Sequence, residues 1–119
     1  MSDPTIVARH FIQSIAAGEF AAARSYLDDH VAFEGPFDSF DNAEAYLAAL
    51  RRLHPSVAGV EIRKVFADGD DVCVLYDLKT SGAAGSAFVC EWMAFRHGKI
   101  ARVRAVFDAR PFAAMFAPS

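Results

Sequence analysis

The sequence predicts an α+β fold, with helices in the first half of the chain and antiparallel strands in the second. Apolar residues recur at helical spacing before residue 54, and from Val57 onward they alternate with a period of two. Turns at residues 68–70 and 82–85 separate the alternating segments. The chain has 119 residues and shows no linker or internal repeat, so we expect one domain over residues 1–119.

The first helix is predicted over residues 4–17. Ser2 or Asp3 followed by Pro4 is typical of a helix start, because proline at the first helical position gives up no hydrogen bond. Gly18 then supplies a C-terminal stop, since glycine readily adopts the left-handed conformation that closes a helix.

A shorter second helix is predicted over residues 19–27, and a strand follows over residues 30–34. Gly35-Pro36 ends this strand, because proline cannot donate a hydrogen bond to a ladder. The apolar side of the helix consists of Phe20, Ala23 and Leu27.

A third helix is predicted from Asp41 to residue 53. The Asp41 side chain can cap its first turn while Glu44, three residues later, completes a capping box. His54-Pro55 stops the helix. Four strands follow as an antiparallel meander, over residues 57–67, 72–80, 87–96 and 100–108.

The composition indicates a buried surface beyond an ordinary core. Hydrophobic residues make up 54% of the chain and eleven residues are phenylalanine, which is more apolar surface than one small core consumes. A dimer interface or a ligand cavity would bury the excess. The net charge of −3 provides no basic field for phosphate backbones, so nucleic-acid binding is disfavoured.

Other patterns bear on compartment and cofactors. No apolar run is long enough to cross a membrane and the first residues lack the pattern of a signal peptide, so we expect a cytoplasmic protein without membrane contact. Cys73 and Cys90 lack the close spacing of a metal knuckle or a redox motif, and we interpret them as small core or interface residues. The four histidines show no paired helical spacing, so neither a metal nor another cofactor is expected.

Glu91 is the most informative candidate for a functional residue. It lies in the most apolar predicted strand and shares one face with Val89, Met93 and Phe95. A buried carboxyl group must find partners or become protonated, because an unpaired buried carboxylate is very costly. A structural role, with an arginine or a backbone amide as partner, is the alternative to a catalytic one.

Two other side chains could assist Glu91. Tyr76 alternates with Val74 and Leu78, so it should face the same side and could hydrogen-bond to Glu91 or to a ligand. Packing alone is the alternative for this tyrosine. His10 on the first helix has the side chain best suited to proton transfer near neutral pH, and an exposed helix histidine without a role is its alternative.

Three short motifs occur in register: IAAGEF at residues 15–20, FEGPF at residues 33–37, and GKI with VFD within residues 98–108. With the order of the elements, they resemble the nuclear transport factor 2-like superfamily, and within it the SnoaL-like group that is related to ketosteroid isomerases and polyketide cyclases. The resemblance implies three helices packed on a curved, mostly antiparallel sheet. It also implies a cone with an apolar cavity, and commonly a homodimer through the outer face of the sheet.

The resemblance does not extend to all catalytic groups of a ketosteroid isomerase. That enzyme uses a general base, a tyrosine and a protonated carboxylic acid. By the resemblance, Gly35 stands at the position of the base, Phe11 at that of the tyrosine and Glu91 at that of the carboxylic acid. Glu34 would supply a base only if its loop turned it inward, so the standard isomerase chemistry is not expected.

Strand parity and the resemblance together predict the two faces of the sheet. The predicted cavity lining consists of Phe11, Ile15, Phe33, Tyr46, Tyr76, Glu91, Met93, Val103 and Phe107. The opposite face has the composition of an interface with aromatic anchors and is predicted to form a two-fold homodimer. It carries Leu75, Asp77, Phe88, Cys90, Trp92, Arg102, Arg104 and Val106. A shift of one residue would exchange the two sets.

Two function hypotheses follow. In the first, the protein binds a small hydrophobic or polyketide-like ligand and isomerises, cyclises or hydrates it, with Glu91 as proton donor or oxyanion partner and Tyr76 or His10 assisting. In the second, it is a non-catalytic module that binds a ligand or another protein and uses the dimeric sheet face. Epoxide hydrolysis on this fold would need an Asp-Arg-Asp set in the cavity, and the outward parity of Arg102 and Arg104 disfavours it.

Overall fold

The computed structural model describes residues 3–116, and it has the predicted α+β architecture. Three helices pack on a curved six-stranded sheet. The helices are α1 (Pro4–Ala17), α2 (Phe20–Ser25) and α3 (Ala43–Leu53), and a short α4 (Ala113–Phe116) follows the sheet. The strands are β1 (Leu27–Glu34), β2 (Ser39–Phe40), β3 (Val57–Asp68), β4 (Asp71–Thr80), β5 (Ser86–Arg96) and β6 (Lys99–Val106).

The strands lie in the order β2-β1-β6-β5-β4-β3. Strands β3 to β6 form the predicted antiparallel meander. Strand β1 joins parallel to β6, which is possible because the long segment between them contains α3 and four strands. The two-residue strand β2, which the sequence pattern does not indicate, pairs with the end of β1 through Phe33 and Phe40. Helix α1 contacts β3 and β4, while α3 contacts β1, so the helices cover the inner face of the sheet.

Helix α1 begins and ends where the sequence predicts. The Asp3 carboxylate accepts a hydrogen bond from the Thr5 backbone at 2.9 Å, and Pro4 occupies the first turn. Ser2, the other candidate for this cap, lies outside the described residues. Gly18 has φ 77° at the C-terminus, and a side chain there would approach the His54 ring to 3.0 Å. Glycine is therefore required both by the conformation and by the space.

The boundary between the second helix and the first strand lies earlier in the chain than predicted. Helix α2 ends at Ser25, and β1 starts at Leu27 rather than at residue 30. Leu27 is buried and pairs with Ile100 of β6, and the backbone N–H of Ile100 donates to the Tyr26 carbonyl at 2.8 Å. Pairing with β6 takes these residues out of the helix, and a pattern of side chains alone does not reveal such a partner.

The cap of α3 lies one residue later than predicted. The Asn42 side-chain oxygen accepts a hydrogen bond from the Ala45 backbone at 2.8 Å. Asp41 instead accepts a hydrogen bond from the Asn42 amide at 3.1 Å, and Glu44 forms an ion pair with Arg24 at 2.8 Å. The predicted Asp41–Glu44 capping box is therefore wrong. Both residue types cap helices well, so the local sequence does not choose between them.

The two faces of the meander have the predicted parity. Glu91 is 5% exposed on the inner face, whereas its neighbour Trp92 is 50% exposed on the outer face. Phe88 and Val106 are also exposed on the outer side. Among the described residues, no helix is both long and apolar enough to span a bilayer.

The cap assignment gives a stability test. Replacing Asn42 with alanine removes the acceptor for the Ala45 N–H, and we expect a loss of about 1 kcal/mol in the free energy of unfolding. Asp41→Ala is the matched control and should cost no more than a few tenths of a kcal/mol. Urea denaturation of both variants measures the difference. Equal losses, or a larger loss for Asp41→Ala, would contradict the cap seen here.

Candidate functional site

Two adjoining cavities lie between the helices and the inner face of the sheet. The larger has a volume of about 130 Å³ and extends to the loop after β1, and the smaller, of about 60 Å³, extends to α1. Residues common to both linings are three apolar and three polar side chains: Leu50, Leu53, Leu78, Tyr46, Tyr76 and Glu91. The polar groups thus stand where the cavities meet, and mostly apolar side chains surround them.

Glu91 is held on the inner face of β5, opposite Val74 of β4. The hydroxyl of Tyr76 donates a hydrogen bond to Glu91 Oε1 at 3.2 Å. Burial raises the pKa of Glu91 to about 7, and the hydrogen bond from Tyr76 opposes that shift. Within residues 3–116, no arginine or backbone amide pairs with Glu91, and its Oε2 atom has no hydrogen-bond partner. The carboxyl group therefore has one oxygen left for a ligand.

Tyr46 and Tyr76 line both cavities together with Glu91. Burial raises the pKa of each tyrosine well above its ordinary value, and the nearby Glu91 charge adds to the effect. Both hydroxyls therefore keep their protons. Among the described residues, the Tyr46 hydroxyl has no hydrogen-bond partner. Its ring stacks on Phe33 with 4.6 Å between the centroids, so the ring is fixed while the hydroxyl is free to meet a ligand.

Asp38 is a second carboxyl group at the cavity, and the sequence pattern did not single it out. It lines the larger cavity from the loop between β1 and β2. Desolvation raises its pKa, and the positive charge of Arg52 works against this rise. The Asp38 charge also contributes to the raised pKa of Tyr46, so the two groups interact electrostatically. The sequence does show an acidic residue close to the Gly35-Pro36 turn. Whether that residue reaches the cavity depends on how β2 pairs with β1, which the sequence pattern does not show.

The loop also explains why position 35 carries no acid. A Cβ atom at Gly35 would lie 2.9 Å from the Phe33 ring, so that ring occupies the space a side chain would need. The Gly35 N–H donates to the Asp38 carbonyl at 2.9 Å, which closes the turn. Glu34 is exposed and forms an ion pair with Arg104 at 3.1 Å. It does not turn inward and cannot serve as the base.

The structure brings most of the predicted lining together. Glu91 and Tyr76 are in contact, and the larger cavity also contains Phe33, Tyr46 and Phe107, while Phe11 and Ile15 line the smaller one. Met93 and Val103 line neither cavity. They are cross-strand partners and fully buried in the core, where the sheet and helices close on each other. The sequence pattern did not indicate the contributions of Leu50, Leu53, Leu78, Val89 and Phe112.

His10 does not reach the site. It is exposed on α1, its ring lies 6.3 Å from the ring of Tyr26, and it lines neither cavity. The adjacent Phe11 and Ile12 take the inward face of the helix, so His10 points away from it. Its predicted role beside Glu91 is not supported by this geometry.

No group of three potential metal ligands occurs among the His, Cys, Asp and Glu side chains of residues 3–116. Neither cavity lining includes an arginine from the described part of the chain. Arg102 and Arg104 lie on the exposed side of β6, as their parity predicts. The Asp-Arg-Asp set of an epoxide hydrolase is therefore not assembled in either cavity.

Solved structures similar to this chain share its fold. An NTF2-like protein of unknown function from Cytophaga hutchinsonii is 23% identical, with a TM-score of 0.83 and coverage of 94% of this chain and 96% of that one. An LEH-like epoxide hydrolase from M. tuberculosis is 20% identical (TM-score 0.80, coverage 95% and 88%). A proposed ketosteroid isomerase from Kribbella flavida is 15% identical (TM-score 0.75, coverage 88% and 77%).

Sequence comparison gives the family. No curated protein matched the chain. The model of the SnoaL-like domain matches residues 8–103, a range that includes most of α1, the β1–β2 loop, α3 and the strands carrying Tyr76 and Glu91. The fold of its structural neighbours agrees with this match. The chain therefore belongs to the SnoaL-like family and has the NTF2-like fold.

Proposed function

We propose that this protein binds a small, mostly apolar molecule bearing one oxygen and performs acid/base chemistry on it. The observation that carries the proposal is a buried Glu91 with a pKa of about 7, bonded to Tyr76 at the junction of two apolar cavities. With a pKa of about 7, Glu91 keeps its proton in about half of the molecules at neutral pH, and that protonated form can donate to a carbonyl or hydroxyl oxygen of a ligand. Isomerisation, cyclisation and hydration all need such a donor.

The cavity size limits the ligand. A protein cavity of about 150 Å³ is known to hold benzene. The larger cavity, of about 130 Å³, therefore suits a molecule of about one ring, and the adjoining smaller cavity suits a short substituent. A four-ring steroid or polyketide does not fit this volume. The proposed ligand is thus smaller than those of the ketosteroid isomerases to which the family is related.

Roles follow from the positions of the polar groups. Glu91 in its protonated form donates from Oε2 to the ligand oxygen, while Tyr76 holds Oε1. The free Tyr46 hydroxyl is a second donor to the same oxygen. Asp38, on the wall of the larger cavity, is the base that removes a proton from the carbon next to the carbonyl group. Partial desolvation raises the pKa of Asp38, which makes it a stronger base than a fully solvated aspartate.

Family and fold support this assignment at a coarser level. SnoaL-like membership places the chain among NTF2-like proteins, and one structural neighbour is a proposed ketosteroid isomerase. The acid at Glu91 remains, but Gly35 and Phe11 replace two groups of the standard isomerase. Asp38 and Tyr46 supply those functions from other positions.

A second candidate is a non-catalytic module whose outer sheet face binds another copy of the chain. Phe88, Trp92 and Val106 are each at least half exposed on that face. Charges of both signs accompany them, and Arg102 has no ion-pair partner among the described residues. A two-fold interface must be self-complementary, and apolar anchors with charges of both signs are the composition that such an interface needs. The proposed homodimer is compatible with either candidate function.

Deuterium exchange into a one-ring ketone tests the acid/base proposal without knowledge of the natural ligand. In D₂O, the protein should speed exchange of the protons next to the carbonyl of cyclohexanone, followed by ¹H NMR. Glu91→Gln removes the acid and Asp38→Asn removes the base, and each should slow the catalysed exchange on the order of a hundredfold. Glu34→Gln, an exposed carboxylate outside the cavity, is the matched control and should keep the wild-type rate.

The same samples separate the two candidates. Shifts of cavity resonances on adding cyclohexanone, without faster exchange, would favour a binding module and contradict catalysis. Neither shifts nor exchange with this ketone would contradict the one-ring ligand class.

Stability should decrease as the pH rises through the titration of Glu91. Its folded pKa of about 7 lies above the ordinary 4.5, so between these values the folded state holds a proton that the unfolded state has released. The decrease should total about 3 kcal/mol and be complete above about pH 7. Urea denaturation at about pH 5 and about pH 8 measures it. Glu91→Gln should lack this decrease and Glu34→Gln should retain it; the same pH dependence in Glu91→Gln and wild type would show that Glu91 is not its source.

The dimer is tested by placing a charge on the outer face. Trp92→Glu should shift the protein from dimer to monomer in sedimentation velocity, because it removes an aromatic anchor of the proposed interface and puts a charge there that association would have to desolvate. Ile6→Glu, at an equally exposed position on α1, is the control and should remain dimeric. A wild type that is already monomeric at micromolar concentration would rule out this interface.

A further inference from the structure

The thiols of Cys73 and Cys90 are in contact on the outer face of the sheet. Their Sγ atoms lie 3.2 Å apart, although the residues are separated by 17 positions in sequence. Cys73 of β4 pairs with Trp92 and Cys90 of β5 pairs with Leu75, so the two cysteines are diagonal neighbours on adjacent strands. Both are free thiols and half-buried. Sequence spacing gives no sign of this pair, because only the β4–β5 register creates it.

The pair lies in an open surface groove. Phe66, Asp68, Asp71 and Trp92 also line this groove. The Trp92 indole N–H donates to the Asp71 carboxylate at 3.0 Å, which holds the ring at the side of the groove. The groove is on the face of the sheet opposite Glu91, so a molecule that reaches the thiols does not enter the two inner cavities.

We propose that Cys73 and Cys90 are a thiol–disulfide exchange site that closes to a reversible intrachain disulfide. The oxidant is a low-molecular-weight disulfide such as glutathione disulfide. One cysteine thiolate attacks a glutathione sulfur, the glutathione S–S bond breaks, and one glutathione thiolate leaves. The second cysteine thiolate then attacks the protein sulfur of the mixed disulfide and releases the second glutathione. The two protons lost by the cysteines go to the two glutathione thiolates, so the products are one protein disulfide and two reduced glutathiones.

Geometry favours closure and also reversal. A disulfide bond is about 2 Å long, so the sulfurs must approach by about 1 Å, a movement within reach of side-chain rotation. Both sulfurs line an open groove, so a small thiol can reach the bond and reduce it again. Burial and the hydrogen bond to Cys90 raise the pKa of Cys73 to about 11. Exchange should therefore be faster at alkaline pH, since the thiolate is the reactive form.

The link would join the strands next to the candidate acid. Cys90 directly precedes Glu91, and Cys73 directly precedes Val74, the cross-strand partner of Glu91. The exchange chemistry itself does not rest on the function proposed for the cavity. Failure of one therefore leaves the other unaffected.

Equilibration in glutathione buffers tests the site. The folded protein is held in mixtures of reduced and oxidised glutathione until its state stops changing, then quenched with acid and weighed by mass spectrometry. Loss of two hydrogen atoms without a glutathione adduct reports the intrachain disulfide. The same measurement in urea that unfolds the chain gives the reference. Because the sheet holds the sulfurs together, the equilibrium constant for closure should be at least about tenfold larger in the folded protein.

Cys73→Ser and Cys90→Ser are the matched controls. Each should stop at a mixed disulfide with glutathione and show no loss of two hydrogen atoms. A closure constant in the folded wild type equal to or below that of the unfolded chain would overturn the proposal. So would a wild type that accumulates only mixed or interchain disulfides. In the proposed dimer, a second copy on the outer face would slow thiol–disulfide exchange. The closure constant is therefore measured at equilibrium, and at several protein concentrations so that the monomer is also sampled.

Discussion

The burial of one carboxyl group governs the arrangement of the inner face. Glu91 is surrounded by apolar side chains and has a tyrosine hydroxyl instead of a cation as its partner. In that environment the neutral form is favoured, so a group that is ordinarily ionised at pH 7 keeps much of its proton. In the proposed function, this proton is the one donated to the ligand, and the cavity, the two tyrosines and Asp38 act together with it. Without it, the same space would be a small apolar void.

Strand alternation divides the functional groups of the chain between two surfaces. Along β5, Glu91 points to the cavity, while Cys90 and Trp92 point to the outer face. One register therefore fixes both the acid site and the thiol pair. It also places them apart, because the sheet lies between the buried carboxyl group and the surface groove that contains the two thiols.

The departures from the ketosteroid isomerase pattern are connected by one aromatic residue. Phe33 stacks on Tyr46 and also fills the space that a side chain at Gly35 would need. The ring therefore leaves no room for a side chain at position 35, and it fixes the ring of Tyr46, the second donor in the proposed chemistry. The turn closed by the Gly35–Asp38 hydrogen bond brings a different carboxyl group to the cavity wall. In the proposed chemistry, the carboxylic acid stays at the position it has in a ketosteroid isomerase, while the base and the second donor come from other positions in the chain.

The sequence by itself determined the order of α1 to α3 and of five strands, the bounds of α1, the meander and the opposite faces of Glu91 and Trp92, because these depend on local capping and on the period of apolar residues. It did not determine the presence of β2, the start of β1, the cap of α3, the place of Asp38 on the cavity wall, the exposure of His10 or the contact between Cys73 and Cys90. Each of these depends on which segments pair or pack together. Leu27 joins β1 because β6 lies beside it, and the two thiols meet because β4 and β5 align at one register. Such contacts between distant segments are decided by the tertiary structure, since no local pattern encodes the partner.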